Sequence, residues 1–319
     1  MVNFEAKRIL VAGDFMLDLY TVGDVERISP EAPVPILRVM NESSHPGGAG
    51  NTILNLISMG MEVVALGRVG NDEEGHHVIQ SFVAEGVDVR GLVRDPQFRT
   101  PLKNRILAEG QQIVRVDYES LTPLDPLFEE RICKMLPALL QEIDLVAISD
   151  YAKGFLTVPL LRELITLAES YKIPVIVDPK GEDFRRYRGV TLIKPNLSEA
   201  IAAAGLGRKA NLDDIAAKIL HIVHPKTLMI TRSKEGISVF ERGIRQDFPT
   251  YVHDIKDITG AGDTVMAMIA VALANDMPPG EAAELANVAA SIAIEQVGSV
   301  RVSLAELSAR LEAVYQPRS

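Results

Sequence analysis

"DLVAISDYAKGFLTVPLLRELITLAESYKIPVIVDPKG", residues 144–181, decides the fold class. It opens on an apolar run, "LVAIS", that ends at Asp150. "VPLLRELITLAESY" follows with apolar residues at helical spacing, and "IPVIV" is a second apolar run, ending at Asp178. Two short apolar runs joined by an amphipathic helix predict parallel strands buried under helices. The same rhythm extends toward the carboxyl end through "VTLIKPN" (190–196), "LDDIAAKILHIV" (212–223) and the strand pair "TLMITRSKEGISVF" (227–240). Two helical stretches follow, "TGAGDTVMAMIAVALAND" (259–276) and "PGEAAELANVAASIAIEQVG" (279–298). Toward the amino end lie the strand "RILVAGDFML" (8–17), the glycine-rich turn and helix "GGAGNTILNLISMG" (47–60), the strand "EVVALGRVG" (62–70) and the helix "DEEGHHVIQSFVAEG" (72–86). The expected fold is α/β, a mostly parallel central sheet with helices on both faces. Such sheets bind ligands beyond the carboxyl ends of their strands. Asp14, Asp18, Asp150, Asp178, Asn196 and Thr231 fall there.

Two stretches break the rhythm. "RISPEAPVPILRV" (27–39) holds three prolines ahead of an alternating run. "LKNRILAEGQQIVRVDYE" (102–119) reads as a hairpin turning at Glu109-Gly110. They predict a small inserted sheet, from about 20–46 and 100–118, within a single domain spanning 1–319.

The chain of 319 residues carries a formal charge of −10, which argues against nucleic-acid or anionic-membrane partners. Its one cysteine, Cys133, fits a reducing cytoplasm and a packing role. No signal peptide precedes the first strand, and no apolar run approaches the ~20 residues of a membrane span.

"DITGAGDT", Asp257–Thr264, carries the chemistry. Gly260 and Gly262 let the chain turn tightly into a long apolar helix, whose first amides have no internal partner. Amides and helix dipole together suit a phosphate group. Asp263 beside them makes sense if it faces a hydroxyl that attacks that phosphate. The helix end is expected to keep Asp263 ionised; the plain alternative is a capping aspartate. "KPNLSE" supplies Lys194, Asn196, Ser198 and Glu199; Asn196 and Glu199 suit either water around Mg2+ or a helix capping box. "TRSKEG" offers Thr231, Lys234 and Gly236 to nucleotide phosphates, or is a plain hairpin turn. No G-x-x-x-x-G-K-[ST] run occurs, so this is not a P-loop protein.

Taken together, "GGAGN" with Gly60 and Gly70, "NLSE" and "DITGAGD" resemble the ribokinase (PfkB) family of sugar kinases over nearly the whole chain. Ile53 and Ile258 depart from the usual signatures without removing a reactive group. The resemblance implies a ribokinase-like fold with a β-lid closing over the sugar, and ATP with Mg2+ as cofactors. It implies Asp263 as catalytic base and Gly260, Ala261 and Gly262 as the anion hole. Asn196 and Glu199 would serve Mg–ATP, the metal through water. Thr231, Lys234, Gly236 and Asn287 would lie along the nucleotide. Asp18, Gly47, Gly48 and Asn51 would line the sugar. Asp257, Thr259, Ala293, Gln296 and Gly298 occupy the positions at which relatives bind a monovalent cation such as K+, with Val302 where some place a serine. Prolines would stiffen the lid's edge strands, and the lid would clasp a second subunit in a homodimer.

Within the family, "RISPEAPVPI", "SDYAKG", "DPKG" and "KPNLSE" resemble bacterial kinases of D-glycero-β-D-manno-heptose 7-phosphate. These phosphorylate the C1 hydroxyl of a lipopolysaccharide precursor, and the chain's length suggests the form without a nucleotidyltransferase domain. Lys103, Arg105 and Arg115 on the hairpin, with Lys153 and Lys180 nearby, are cations for an anionic sugar tail; the alternative is solvated or ion-paired lid residues. Asp14, Asp150 and Asp178 are candidates for sugar hydroxyls, or for pairing with Lys153 and Lys180. The rival readings are another kinase of the family, acting on fructose phosphate, ribose or a nucleoside, and a non-catalytic sensor on the same fold.

Overall fold

The structure, a computed structural model, describes residues 4–207, 209–251, 255–296 and 298–315. The chain runs β1 (Arg8–Ile28), β2 (Pro35–Gly48), α1 (Ala49–Ser58), β3 (Glu62–Gly70), α2 (Glu73–Ala84), β4 (Asp88–Asp95), β5 (Leu102–Ala108) and β6 (Gln111–Tyr118). It continues with α3 (Pro126–Leu139), β7 (Leu145–Ser149), α4 (Val158–Ser170), β8 (Val175–Asp178), β9 (Leu192–Ile193), α5 (Leu197–Ala204) and α6 (Leu212–Val223). The last elements are β10 (Thr227–Thr231), β11 (Ile237–Glu241), β12 (Ile244–Phe248), α7 (Ala261–Ala274), α8 (Pro279–Ile294) and α9 (Leu304–Tyr315).

The main sheet has the order β12-β11-β10-β9-β8-β7-β1-β3-β4. It is parallel from β4 to β10, and β11 and β12 add antiparallel at one edge. Side chains alternate across it as a pleat requires. Ile9, Val11, Leu145, Ala147 and Met229 pack with α1, α7 and α8. Leu10, Ala12, Val146, Ile148 and Leu228 pack on the other face with α3, α4 and α6. β4 and β12, which the sequence reading passes over, are the two edges; their mixed polarity lacks the apolar run of a central strand. Among the described residues no helix is long and apolar enough to cross a membrane.

β1 is one strand of 21 residues. Its first half pairs with β3 and β7 in the main sheet. Its second half pairs with β2 and β5 in a small sheet that β6 completes. The β5–β6 hairpin turns at Glu109 and Gly110, both at positive φ (49° and 75°), as a tight two-residue turn demands. The prolines correct an expectation. Pro30 and Pro33 sit in the tip between β1 and β2, where the Ser29 amide donates to Val34 O; only Pro35 is in a strand, as its first residue. A residue without an N–H is placed where no ladder bond is lost.

Candidate active site

The turn from Asp257 leads into α7 without a side-chain cap; the Ala261 amide donates to Ile258 O at 3.3 Å, leaving the Gly262 and Asp263 amides for a ligand. Gly260 has φ 75°, and a Cβ there would lie 2.6 Å from Asn51 Nδ2, so both conformation and space demand glycine. A cleft of about 420 Å3 opens beside the turn, lined by Ala261, Gly262, Thr231, Lys234, Gly236 and Asn287 among others. The fold thus gathers Thr231, Lys234, Gly236 and Asn287, while Lys194, Asn196, Ser198 and Glu199 do not line this cleft. Asn287 donates its side-chain amide to Phe248 O (2.9 Å) and Pro249 O (3.3 Å), so it pins the cleft wall. A larger groove of about 630 Å3, between α6 and the β11–β12 edge, contains none of the expected residues.

Asp263, in the first turn of α7, is 6% exposed. Its Oδ1 accepts from the Tyr151 hydroxyl at 2.5 Å, and its Oδ2 from Asn51 Nδ2 at 2.9 Å. Burial raises its pKa to about 6 against both hydrogen bonds, with Asp178 adding to the rise and Lys194 opposing it. Desolvation outweighs the helix end and raises the carboxyl above its ordinary range, yet the group is still mostly ionised at neutral pH, as expected. Each carboxylate oxygen keeps a lone pair for a further donor.

Across from the turn lies the sugar side expected from the sequence. Asp18 on β1 accepts from Arg105 Nη1 at 2.6 Å, and both are buried. A Cβ on Gly47 would come within 2.3 Å of Asp18 Oδ2, so glycine leaves that carboxylate room. Gly48, at φ 58°, starts α1 and brings Asn51 to Asp263.

The remaining expected residues separate into held and available groups. Asp14 is committed: its carboxylate accepts from the amides of Tyr151 (3.0 Å), Lys153 (3.0 Å) and Phe155 (3.3 Å), so it fixes the loop after β7 instead of facing a sugar. Asp150 accepts from Tyr187 Oη (2.6 Å) and the Ala152 amide (2.7 Å), and lies 3.6 Å from Arg186. Asp178 pairs with buried Lys194 at 2.9 Å. The anticipated pairing of these aspartates with Lys153 and Lys180 does not occur. Lys153 pairs with Glu119 (2.6 Å) and Lys180 with Glu199 (2.8 Å), each a nearer carboxylate on a neighbouring loop or helix. Arg115 is half exposed and bonded to Asp117 at 2.8 Å. Lys103 differs: among the described residues no carboxylate pairs with it, and burial lowers its pKa despite Asp18. Its Nζ lies 5.7 Å from the centre of the Tyr151 ring.

Asn196 and Glu199 form the reciprocal capping box of α5, with Ser198 exposed beside them. Glu199 Oε2 accepts from the Asn196 amide (3.0 Å) while Oε1 meets Lys180. At the expected cation positions, Asp257 Oδ1 accepts from Thr259 N (2.9 Å) and Oγ1 (2.7 Å), and Oδ2 from Gly298 N (2.9 Å). The Gln296 amide donates to Ala293 O at 3.2 Å. The Asp257 carboxylate is thus occupied by three donors of its own turn and of the Gly298 loop. Among the described residues no three His, Cys, Asp or Glu side chains cluster as a metal site.

Tyr151 is the residue that the sequence reading quotes in "SDYAKG" and leaves without a role. Its signal is position: it follows the carboxyl end of β7, where ligand-facing residues of such sheets lie.

Residues 6–305 match the profile of the family described as pfkB family carbohydrate kinase. The chain is 45% identical over 301 residues to the "Bifunctional protein HldE" of Geobacter sulfurreducens, covering 93% of this chain and 61% of that protein. It is 40% identical over 304 residues to the protein of the same name from Helicobacter pylori, covering 95% and 66%. The chain thus spans about three-fifths to two-thirds of the length of these relatives. Phosphofructokinase-2 from Escherichia coli in complex with potassium aligns with TM-score 0.79 and 19% identity, over 98% of this chain and 100% of that one. Arabidopsis thaliana ribokinase complexed with ribose and ATP aligns with TM-score 0.73 and 17% identity, over 97% and 99%. At these identities the two structures share the fold.

Proposed function

The chain belongs to the pfkB family of carbohydrate kinases, phosphotransferases acting on a sugar hydroxyl, and on that premise we propose its substrate, its cofactors and the roles of its residues. The acceptor is the C1 hydroxyl of D-glycero-β-D-manno-heptose 7-phosphate and the donor is ATP with Mg2+. The single observation that carries phosphoryl transfer to a hydroxyl is Asp263: a buried carboxylate with unused lone pairs, in the uncapped first turn of α7 whose Ala261 and Gly262 line the 420 Å3 cleft. Asp263 accepts the proton of the attacking hydroxyl, and the Gly262 amide, joined by that of Ala261 once it leaves Ile258 O, receives charge on the moving phosphoryl. Lys234 and Lys194 stand near the nucleotide phosphates. Glu199, now paired with Lys180, would hold Mg2+ through water, and the ion would supply positive charge against the phosphates. K+ would be held at Asp257, Thr259, Ala293, Gln296 and Gly298, the positions the family resemblance implies.

The heptose assignment rests on "RISPEAPVPI", "SDYAKG" and "DPKG", and on the likeness to the bifunctional relatives. Lys103 supports an anionic sugar, because a half-buried cation without an ion-pair partner among the described residues gains from a phosphate. The decisive experiment is ADP release with heptose 7-phosphate against fructose 6-phosphate and ribose. The heptose phosphate should show the highest kcat/KM; a preference for either other sugar rejects the assignment. Lys103→Met should raise KM for the phosphorylated sugar about tenfold, and less for an unphosphorylated analogue. Equal effects on both remove Lys103 as the phosphate ligand. The lid exposes Ile28, Val34, Val39 and Met40, an apolar surface for a second copy of the chain in a homodimer, which sedimentation tests.

A further inference from the structure

The proposed reaction gives no role to Tyr151, a half-buried side chain bonded directly to its base. Tyr151 leaves the end of β7 and reaches across to the first turn of α7. Its backbone is fixed independently of its ring: Asp14, on β1, accepts from the Tyr151 amide and from two further amides of the same loop. Its hydroxyl has one acceptor, Asp263 Oδ1, at 2.5 Å. Asn51, on α1, donates to the other oxygen, so two neutral donors on two different elements grip the carboxylate plane. Lys103 flanks the ring from the lid.

We propose that Tyr151 is a positioning residue for phosphoryl transfer, whose hydroxyl orients the Asp263 carboxylate and favours its charged form in a buried site. This rests on Asp263 as the proton acceptor. Two donors fix the rotation of a carboxylate about its last bond, which one donor does not. One lone pair on each oxygen then remains, aimed where the acceptor alcohol arrives. The alcohol gives its proton to that lone pair as its oxygen bonds the phosphorus and the bond to ADP breaks. Tyr151 keeps its own proton throughout. Burial, then the charge of Asp263, holds the phenol well above its ordinary pKa, so it is a donor at every working pH.

The charged groups acting on Asp263 are Asp178 at the end of β8, which opposes its ionisation, and Lys194 after β9, which favours it. These two pair with each other at 2.9 Å and so largely offset. The hydrogen bonds from Tyr151 and Asn51 are the main terms against desolvation. Removing the phenol hydroxyl should therefore move the acid limb of kcat upward in pH.

The test compares the wild type, Asp263→Asn and Tyr151→Phe, using whichever sugar turns over best. Asp263→Asn is read first: near-normal turnover would overturn the base assignment itself, and the tyrosine proposal with it. If that variant is inactive, Tyr151→Phe should lose about 10- to 100-fold in kcat, the worth of a hydrogen bond to a charged group. Its ATP affinity by calorimetry should stay within about twofold. Its acid limb should rise by about one pH unit or more. An unmoved limb, or kcat and ATP affinity lost together, would make Tyr151 merely structural and overturn the proposal. If Tyr151→Phe does not fold, 3-fluorotyrosine placed at residue 151 alone gives the opposite sign. Its stronger donor should lower the acid limb, and an unchanged limb would again overturn the proposal.

Discussion

Asp257 and Asp263 stand at the two ends of one turn, six residues apart, and the fold treats them oppositely. Asp257 is partly exposed; burial raises its pKa, but the Thr259 hydroxyl and amide, the Gly298 amide and the nearby Arg105 charge together bring it below the ordinary value. Asp263 is almost fully buried with two neutral donors, and burial wins, raising it to about 6. The difference is not one of residue type or of local sequence. It comes from how many donors each carboxylate meets against how much water it loses. The first becomes a clasp that shapes the turn, and the second keeps capacity to take a proton.

The largest expected effect separates the two ends. Asp263→Asn should lower kcat by about three orders of magnitude or more while ATP still binds, read by rapid-quench turnover and calorimetry. Asp257→Ala should act differently, by loosening the turn. A fall of about 10- to 100-fold in kcat should accompany a loss of roughly 1–3 kcal/mol of stability, measured by denaturant unfolding. If Asp257→Ala leaves stability untouched, the clasp is not what holds the turn. A smaller effect is the acid limb of wild-type kcat. It should fall through pH about 6, because Asp263 must be ionised to accept a proton and Asp257 already is.

The smallest effect is on stability. A carboxyl with a raised folded pKa binds its proton more tightly folded than unfolded, so its ionisation costs stability as pH rises. The cost is absent below about pH 3.8, grows toward pH 6 and is complete above it. Asp263→Asn should therefore melt a few degrees above the wild type at pH 7–8, with the gap closing near pH 4. A gap of constant size would assign the change to packing.

The strand–helix rhythm was legible because central strands buried on both faces are runs of apolar residues, as Leu145–Ser149 and Val175–Asp178 are up to their polar last residues. The edges β4 and β12 were not, since half-exposed strands mix charge with apolar residues and resemble loops. The "DITGAGD" turn was legible because a positive φ at Gly260 and a close approach to Asn51 both require glycine. The fate of the lid cations was not. Which carboxylate reaches Lys153, Lys180 or Arg105 depends on Glu119, Glu199 and Asp18 arriving from elsewhere in the chain. Tyr151 escaped for the same reason, because its partner is 112 residues away.

Because β1 passes unbroken from the main sheet into the small one, carrying Asp14 in its first half and Asp18 in its second, the lid has no hinge on this side. Any swing of the lid is a torsion of a single hydrogen-bonded ribbon, which resists like a spring instead of pivoting freely. On the proposed reading, a sugar bound against Asp18 would strain the same strand whose other half, through Asp14, anchors the loop that carries Tyr151 to Asp263.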